Sequence, residues 1–76
     1  MAFLPVLSGR GAVKVFALLG WQQVRQTSSH IIMTKEGEIA TLSMPDYKEV
    51  AQGTLRGLIR PANLTVIEFK TAAQSV

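Results

Sequence analysis

The sequence predicts an α+β fold with the order helix, three-stranded antiparallel sheet, then one or two helices, the helices packed on one face of the sheet. Three observations predict it. Apolar residues recur at helical spacing between Ser8 and Gly20, and two strand-like runs flank the polar turn Lys35-Glu36-Gly37-Glu38. A second run at helical spacing, Leu55, Leu58 and Ile59, is cut by Pro61 and followed by a helix-capping signature.

The first helix runs from an N-cap at Ser8 to Leu19. Ala12, Val13, Val15, Phe16 and Leu19 are apolar, Gly9 and Gly11 weaken the first turn, and Gly20 ends the helix in the left-handed conformation. Apart from Lys14 this helix is apolar nearly all round, which points to burial in the core. Trp21 to Gln26 mixes apolar and polar residues as a strand does, and Thr27-Ser28-Ser29 breaks the run. His30 to Thr34 is a second strand. Ile39 to Met44 is a third, ended by Pro45, and the two form a hairpin. Asp46 to Gln52 is a polar connection, and the second helix opens at Gly53-Thr54. Pro61 places Arg60 near the end of that helix and Pro61 to Leu64 in a turn. Thr65 and Glu68 have capping-box spacing, so a short last helix carries Phe69. Phe16 and Trp21, at a helix end and a strand start, read as core.

With 76 residues the chain has room for one domain, spanning 1–76, because a core of this size buries only about 60% of the surface the unfolded chain exposes. Hydrophobic residues make up 47% and charged residues 17%, too apolar for a disordered tail. No cysteine is present, so disulfides and thiolate metal sites are excluded. One histidine and scattered carboxylates do not supply the three or four convergent ligands of a zinc site, so no metal is expected. The longest apolar stretch, Val15 to Leu19, is far short of the roughly 20 residues that span a bilayer. The apolar start, Met1 to Leu7, lacks the basic lead and cleavage site of a secretory signal, which makes the cytoplasm the expected location. Eight Lys and Arg against five Asp and Glu leave a net charge of +3, which favours a polyanionic partner where the charge is clustered.

No phosphate-cradling Gly-rich loop, serine nucleophile elbow or pair of histidines at helical spacing occurs. The carboxylates Glu36, Glu38, Asp46, Glu49 and Glu68 read as turn, surface and cap residues. What remains is Ser28-Ser29-His30, where a tight loop meets a strand. Imidazole takes and gives a proton near neutral pH without a large shift in its affinity. That capacity fits RNA cleavage, in which removing the 2′-hydroxyl proton makes that oxygen a nucleophile toward the adjacent phosphate. Ser28 and Ser29 are candidate supports for His30. The charge that develops on phosphorus calls for donors, for which Arg25, Lys35, Lys48 and the amides at Gly53-Thr54 are candidates, with Arg56 and Arg60 as further RNA-binding candidates.

Taken in order, these blocks resemble the HicA family of small bacterial and archaeal toxins, the mRNA interferases. The resemblance rests on Leu19-Gly20-Trp21, Val24-Arg25-Gln26 leading to Ser29-His30, Thr34-Lys35-Glu36-Gly37 and Met44-Pro45. It continues through Gly53-Thr54-Leu55-Arg56-Gly57-Leu58-Ile59-Arg60 and Leu64-Thr65-Val66-Ile67-Glu68-Phe69. It implies a fold like the double-stranded RNA-binding domain, metal-independent cleavage of mRNA with no cofactor, silencing by a cognate HicB-type antitoxin, and His30 as the catalytic residue. Two positions depart from the family pattern: Ser28 stands where glycine is usual, and Asp46-Tyr47 follows Pro45 where a second histidine is frequent. These departures motivate an alternative, a catalytically degenerate RNA-binding or antitoxin-binding domain of the same fold.

Overall fold

A computed structural model describes residues 4–76, so the first three residues of the apolar stretch Met1 to Leu7 lie outside the described residues. The chain forms α1 (Gly9–Leu18), β1 (Gln22–Gln26), β2 (His30–Thr34), β3 (Leu42–Pro45), α2 (Gln52–Ile59) and α3 (Val66–Ala73). The strands make one antiparallel sheet in the order β1-β2-β3. In β2 the residues Ile31 and Met33 are buried while His30, Ile32 and Thr34 are only partly covered, the period-2 signature of a sheet covered on one face. The helices supply the cover: α1 packs on β1, β3 and α3, and α2 packs on β3 and α3. Among the described residues no helix is long and apolar enough to cross a membrane.

The helix ends follow from side-chain chemistry. Ser8 caps α1 by accepting from the Gly11 amide at 3.0 Å. Gly20, at φ +98°, takes the left-handed turn after α1, and the Lys35 ammonium donates to the Leu19 carbonyl at 3.1 Å, a cation at a helix C-terminus. Thr65 and Glu68 form the expected reciprocal capping box on α3. Phe16 joins the helices, with its ring centroid 5.0 Å from Phe69 and 6.5 Å from Trp21 in an edge-on contact. All three rings are buried, and the Trp21 indole N–H is the buried side-chain polar atom without a partner among the described residues. Burial of α1 is one-sided: Ala12, Val15 and Phe16 are covered, whereas Leu18 is 57% exposed.

Two boundaries and one connection differ from the sequence expectation. The third strand begins at Leu42 and not Ile39, because pairing ends at Met33 opposite Leu42 and Ile39 points into solvent, leaving a wider hairpin connection through Gly37 at φ +87°. The second helix starts at Gln52. Its N-cap is Ala51, which makes no side-chain cap, so Gly53 and Thr54 lie inside the first turn and do not cap it. Gln52 is used otherwise: its amide accepts from the Leu4 N–H at 3.0 Å and donates to the Leu4 carbonyl at 2.9 Å, clamping the N-terminal segment to α2. The connection before it is not wholly polar either, since Val50 is in the core and its amide donates to the Leu7 carbonyl at 2.8 Å.

Gly9 sets how closely α1 approaches the sheet. Its amide donates to the Tyr47 carbonyl at 2.8 Å, and a Cβ at this position would collide with the Pro45 carbonyl oxygen. Gly57, in contrast, is a helical position around which a Cβ would meet nothing. Gly9→Ala is therefore expected to destabilise the fold by about 1–3 kcal/mol through overpacking. Gly57→Ala is expected to stabilise it by about 0.5–1 kcal/mol. Urea unfolding midpoints of the two variants against the parent check the opposite signs.

Candidate functional site

The topology gathers four segments at one end of the sheet. β1 ends and β2 begins there, joined by Thr27-Ser28-Ser29, and β3 ends there with Pro45 paired to His30. The start of α1 is bonded to Tyr47, and α2 starts six residues after Asp46 at Gln52. His30 stands in the middle of this cluster, as the first residue of the central strand.

Thr27, which the sequence reading treated only as a loop residue, shapes the turn. Its amide donates to the His30 carbonyl at 2.8 Å, and its Oγ1 accepts from the His30 amide at 3.0 Å and from the Ser29 amide at 3.4 Å. The other side of the loop is tied to β3, because the Asp46 amide donates to the Ser29 carbonyl at 2.9 Å. The His30 backbone is thus held from both neighbouring strands while its side chain stays partly open to solvent. Its ring is oriented by Ser29, whose Oγ lies 2.9 Å from His30 Nδ1. Nε2 has no hydrogen-bond partner among the described residues. The tautomer decides what Nε2 offers. If Nδ1–H donates to Ser29, Nε2 carries a lone pair and accepts a proton; if the Ser29 hydroxyl donates, Nε2 carries the proton and gives it.

Ser28 is exposed, and it is absent from the non-glycine positions with positive φ, of which Asn63 is the one among the described residues. Serine in place of glycine therefore introduces no left-handed strain in this loop. Asp46 does not present a bare charge: its carboxylate meets Arg10 Nη2 of α1 at 3.4 Å. The sequence reading passed over Arg10, and no local signal linked residues so far apart in the chain.

The cationic candidates separate into two groups. Arg25 is exposed on β1 opposite Ile32, two residues along from His30 on the neighbouring strand. Lys48 is exposed in the connection after β3, and Gly53 and Thr54 are exposed in the first turn of α2. These lie toward the His30 end. Lys35 lies past the other end of β2, where its ammonium is engaged by the Leu19 carbonyl. Arg60 is also there, sharing a surface cleft with Gly37, Glu38, Ile39 and Ala40 of the hairpin connection. Four residue steps of strand separate the two ends of β2, about 13 Å at the usual rise. Arg56 lies between, lining with Gly53, Gly57 and Arg60 a cleft along the exposed face of α2. Among the described residues no three His, Cys, Asp or Glu side chains group in a way that would hold a metal ion.

The chain is thus a small α+β domain, a meander sheet under three helices with its one histidine at the strand end where the loops converge. A family model for the HicA toxin of bacterial toxin–antitoxin systems matches residues 9–64, from the first residue of α1 to the turn before α3, and the chain belongs to that family. Among solved structures it is similar to a toxin–antitoxin complex from Streptococcus pneumoniae, at 30% identity and a TM-score of 0.67, over 76% of this chain and 98% of that one. No curated protein matches it.

The Thr27 hydroxyl is the testable element of this geometry. Thr27→Val keeps the branched shape and removes the acceptor for two amides. It should cost about 1 kcal/mol of stability by chemical denaturation, with faster amide exchange confined to residues 27–30. Unchanged exchange at Ser29 and His30 would show that the hydroxyl does not hold the loop.

Proposed function

We propose that this chain is a metal-independent endoribonuclease, an mRNA interferase acting in the cytoplasm, in which His30 is the general acid-base residue. The observation that carries the reading is the state of the His30 ring: Nδ1 is oriented by Ser29, Nε2 is left without a partner among the described residues, and the backbone is fixed on both sides. In the reaction, Nε2 takes the proton from a 2′-hydroxyl and O2′ attacks the adjacent phosphorus. The P–O5′ bond breaks, and the leaving 5′-oxygen takes up a proton, from the imidazolium or from water. The products are a 2′,3′-cyclic phosphate and a 5′-hydroxyl, so no added water molecule and no redox partner enter the cleavage step. For this step Nδ1–H donates to Ser29, which orients the ring, and Ser28 is a further support candidate in the loop before His30.

Charge on the phosphoryl oxygens is stabilised by donors that do not have to reorganise. Lys48 and Arg25 supply exposed cations toward the His30 end. The first turn of α2 supplies fixed dipoles, because its N-cap Ala51 has no side-chain acceptor to occupy the Gly53 and Thr54 amides. Arg56 and Arg60 extend the contact with RNA along α2, farther from the chemistry. The family assignment and the likeness to a toxin–antitoxin complex support a second part of the reading, a HicB-type antitoxin that forms a stoichiometric complex with this chain and silences it.

A second reading, RNA or antitoxin binding without cleavage, is favoured by one specific observation, the Asp46-Tyr47 pair where the family frequently has histidine. One experiment separates the two. Purified chain is incubated with a defined RNA, with and without EDTA, beside His30→Ala. The expected result is cleavage indifferent to EDTA and reduced about 100- to 10,000-fold by the substitution, the usual contribution of general acid-base catalysis. Intact RNA from folded wild-type protein that still binds it would establish the second reading.

A further inference from the structure

The Arg10–Asp46 pair is a feature of the His30 end that this mechanism does not use. We propose that Arg10 is a phosphate-binding residue of the RNA site and that Asp46 is the counter-ion that holds its guanidinium there until RNA displaces it. This inference rests on the reading of the His30 end as an RNA site.

Location is the first argument. A chain of three contacts leads from the imidazole to Arg10: His30 Nδ1 to Ser29 Oγ, the Ser29 carbonyl to the Asp46 amide, and the Asp46 carboxylate to Arg10 Nη2. Arg10 follows Gly9, whose lack of a side chain lets the first turn of α1 press against Pro45 and Asp46. The close approach that fixes α1 on the sheet therefore also delivers a guanidinium to the strand end where His30 begins.

The second argument is that the pair is poorly suited to a structural role. It consists of one N···O contact of 3.4 Å, and the Arg10 side chain is 67% exposed. Exposed pairs of this kind contribute little to stability. The same corner is already secured by the Ser8 cap and the Gly9 amide on the Tyr47 carbonyl. A guanidinium has five N–H donors in a planar fork that fits phosphate oxygens as well as it fits carboxylate oxygens. An RNA phosphate can thus take over the contact that Asp46 makes, with two parallel bonds in place of one long one. In the absence of RNA the carboxylate restrains a side chain that would otherwise sample many rotamers.

The test uses the His30→Ala chain, which is expected to bind RNA without consuming it, and a fluorescein-labelled single-stranded RNA whose anisotropy is followed across a series of KCl concentrations. Arg10→Ala should weaken binding about tenfold, the effect of losing one charge-assisted hydrogen-bonded contact. It should also reduce the slope of log affinity against log salt by about 0.7, one phosphate contact on a single strand. The discriminating variant is Arg10→Ala combined with Asp46→Asn. If Arg10 contacts phosphate, this neutral pair stays weaker than the parent and keeps the reduced slope. Return of the double variant to parental affinity and slope would overturn the proposal, because Arg10 would then only mask the charge of Asp46. Unchanged binding by Arg10→Ala overturns it as well. Arg10→Lys, which keeps the charge, should retain most of the slope, and matched thermal melts establish that the variants are folded. A His30→Ala chain that is folded and binds no RNA would overturn the RNA reading itself, and this inference with it.

Discussion

The His30 end of the molecule depends on one close approach of backbone to backbone. Gly9 lets the first turn of α1 rest on the carbonyl of Pro45 and donate to Tyr47, at a separation that any side chain would prevent. Pro45 lies opposite His30 in a pair that exchanges no hydrogen bond, so its missing amide costs the ladder nothing, and the next residue, Asp46, donates to the Ser29 carbonyl. The loop before β2 and the connection after β3 are thereby joined under the start of α1. His30 emerges from this joint with its main chain restrained and one ring nitrogen available. That combination suits acid-base chemistry, where geometry has to be held before a proton affinity can be used.

The sheet has two chemically different ends. At the His30 end, Arg25 and Lys48 are exposed and the amides of Gly53 and Thr54 lie in an uncapped first turn of α2. At the hairpin end, Lys35 is consumed in closing the C-terminus of α1, and Arg60 lies beside the turn through Gly37. A cation count over the sequence cannot distinguish these situations, since both kinds of residue contribute equally to the net charge. Connectivity distinguishes them. In a meander, β1 and β3 run the same way, so the β1–β2 loop and the exit of β3 must share an end, and the β2–β3 turn must occupy the other.

Most of the element order was legible because its signals are local. Ser8 as a cap, Gly20 at positive φ, Gly37 in a turn and the Thr65–Glu68 box each depend on residues within four positions. The position of His30 at the head of β2 was legible for the same reason. What was not legible depends on contacts distant in sequence: the need for glycine at residue 9, the clamp of Gln52 on Leu4, Val50 in the core and the Arg10–Asp46 pair. The start of α2 was misplaced because Gly53-Thr54 looks like a capping pair, whereas the helix begins without a side-chain cap. The third strand was drawn too long because Ile39 has strong β-propensity, a preference that counts only where a partner strand is present.

The central claim is that His30 activates a 2′-hydroxyl of the substrate and not a water molecule. The most direct measurement is the chemistry of the cut ends, read by mass spectrometry on an RNA oligonucleotide and on the same oligonucleotide with a single 2′-O-methyl group at the cleavage position. The mechanism predicts a 2′,3′-cyclic phosphate and a 5′-hydroxyl from the first substrate and no cleavage at that position in the second. Fragments ending in a 3′-hydroxyl and a 5′-phosphate, or cleavage undiminished by the methyl group, would contradict it.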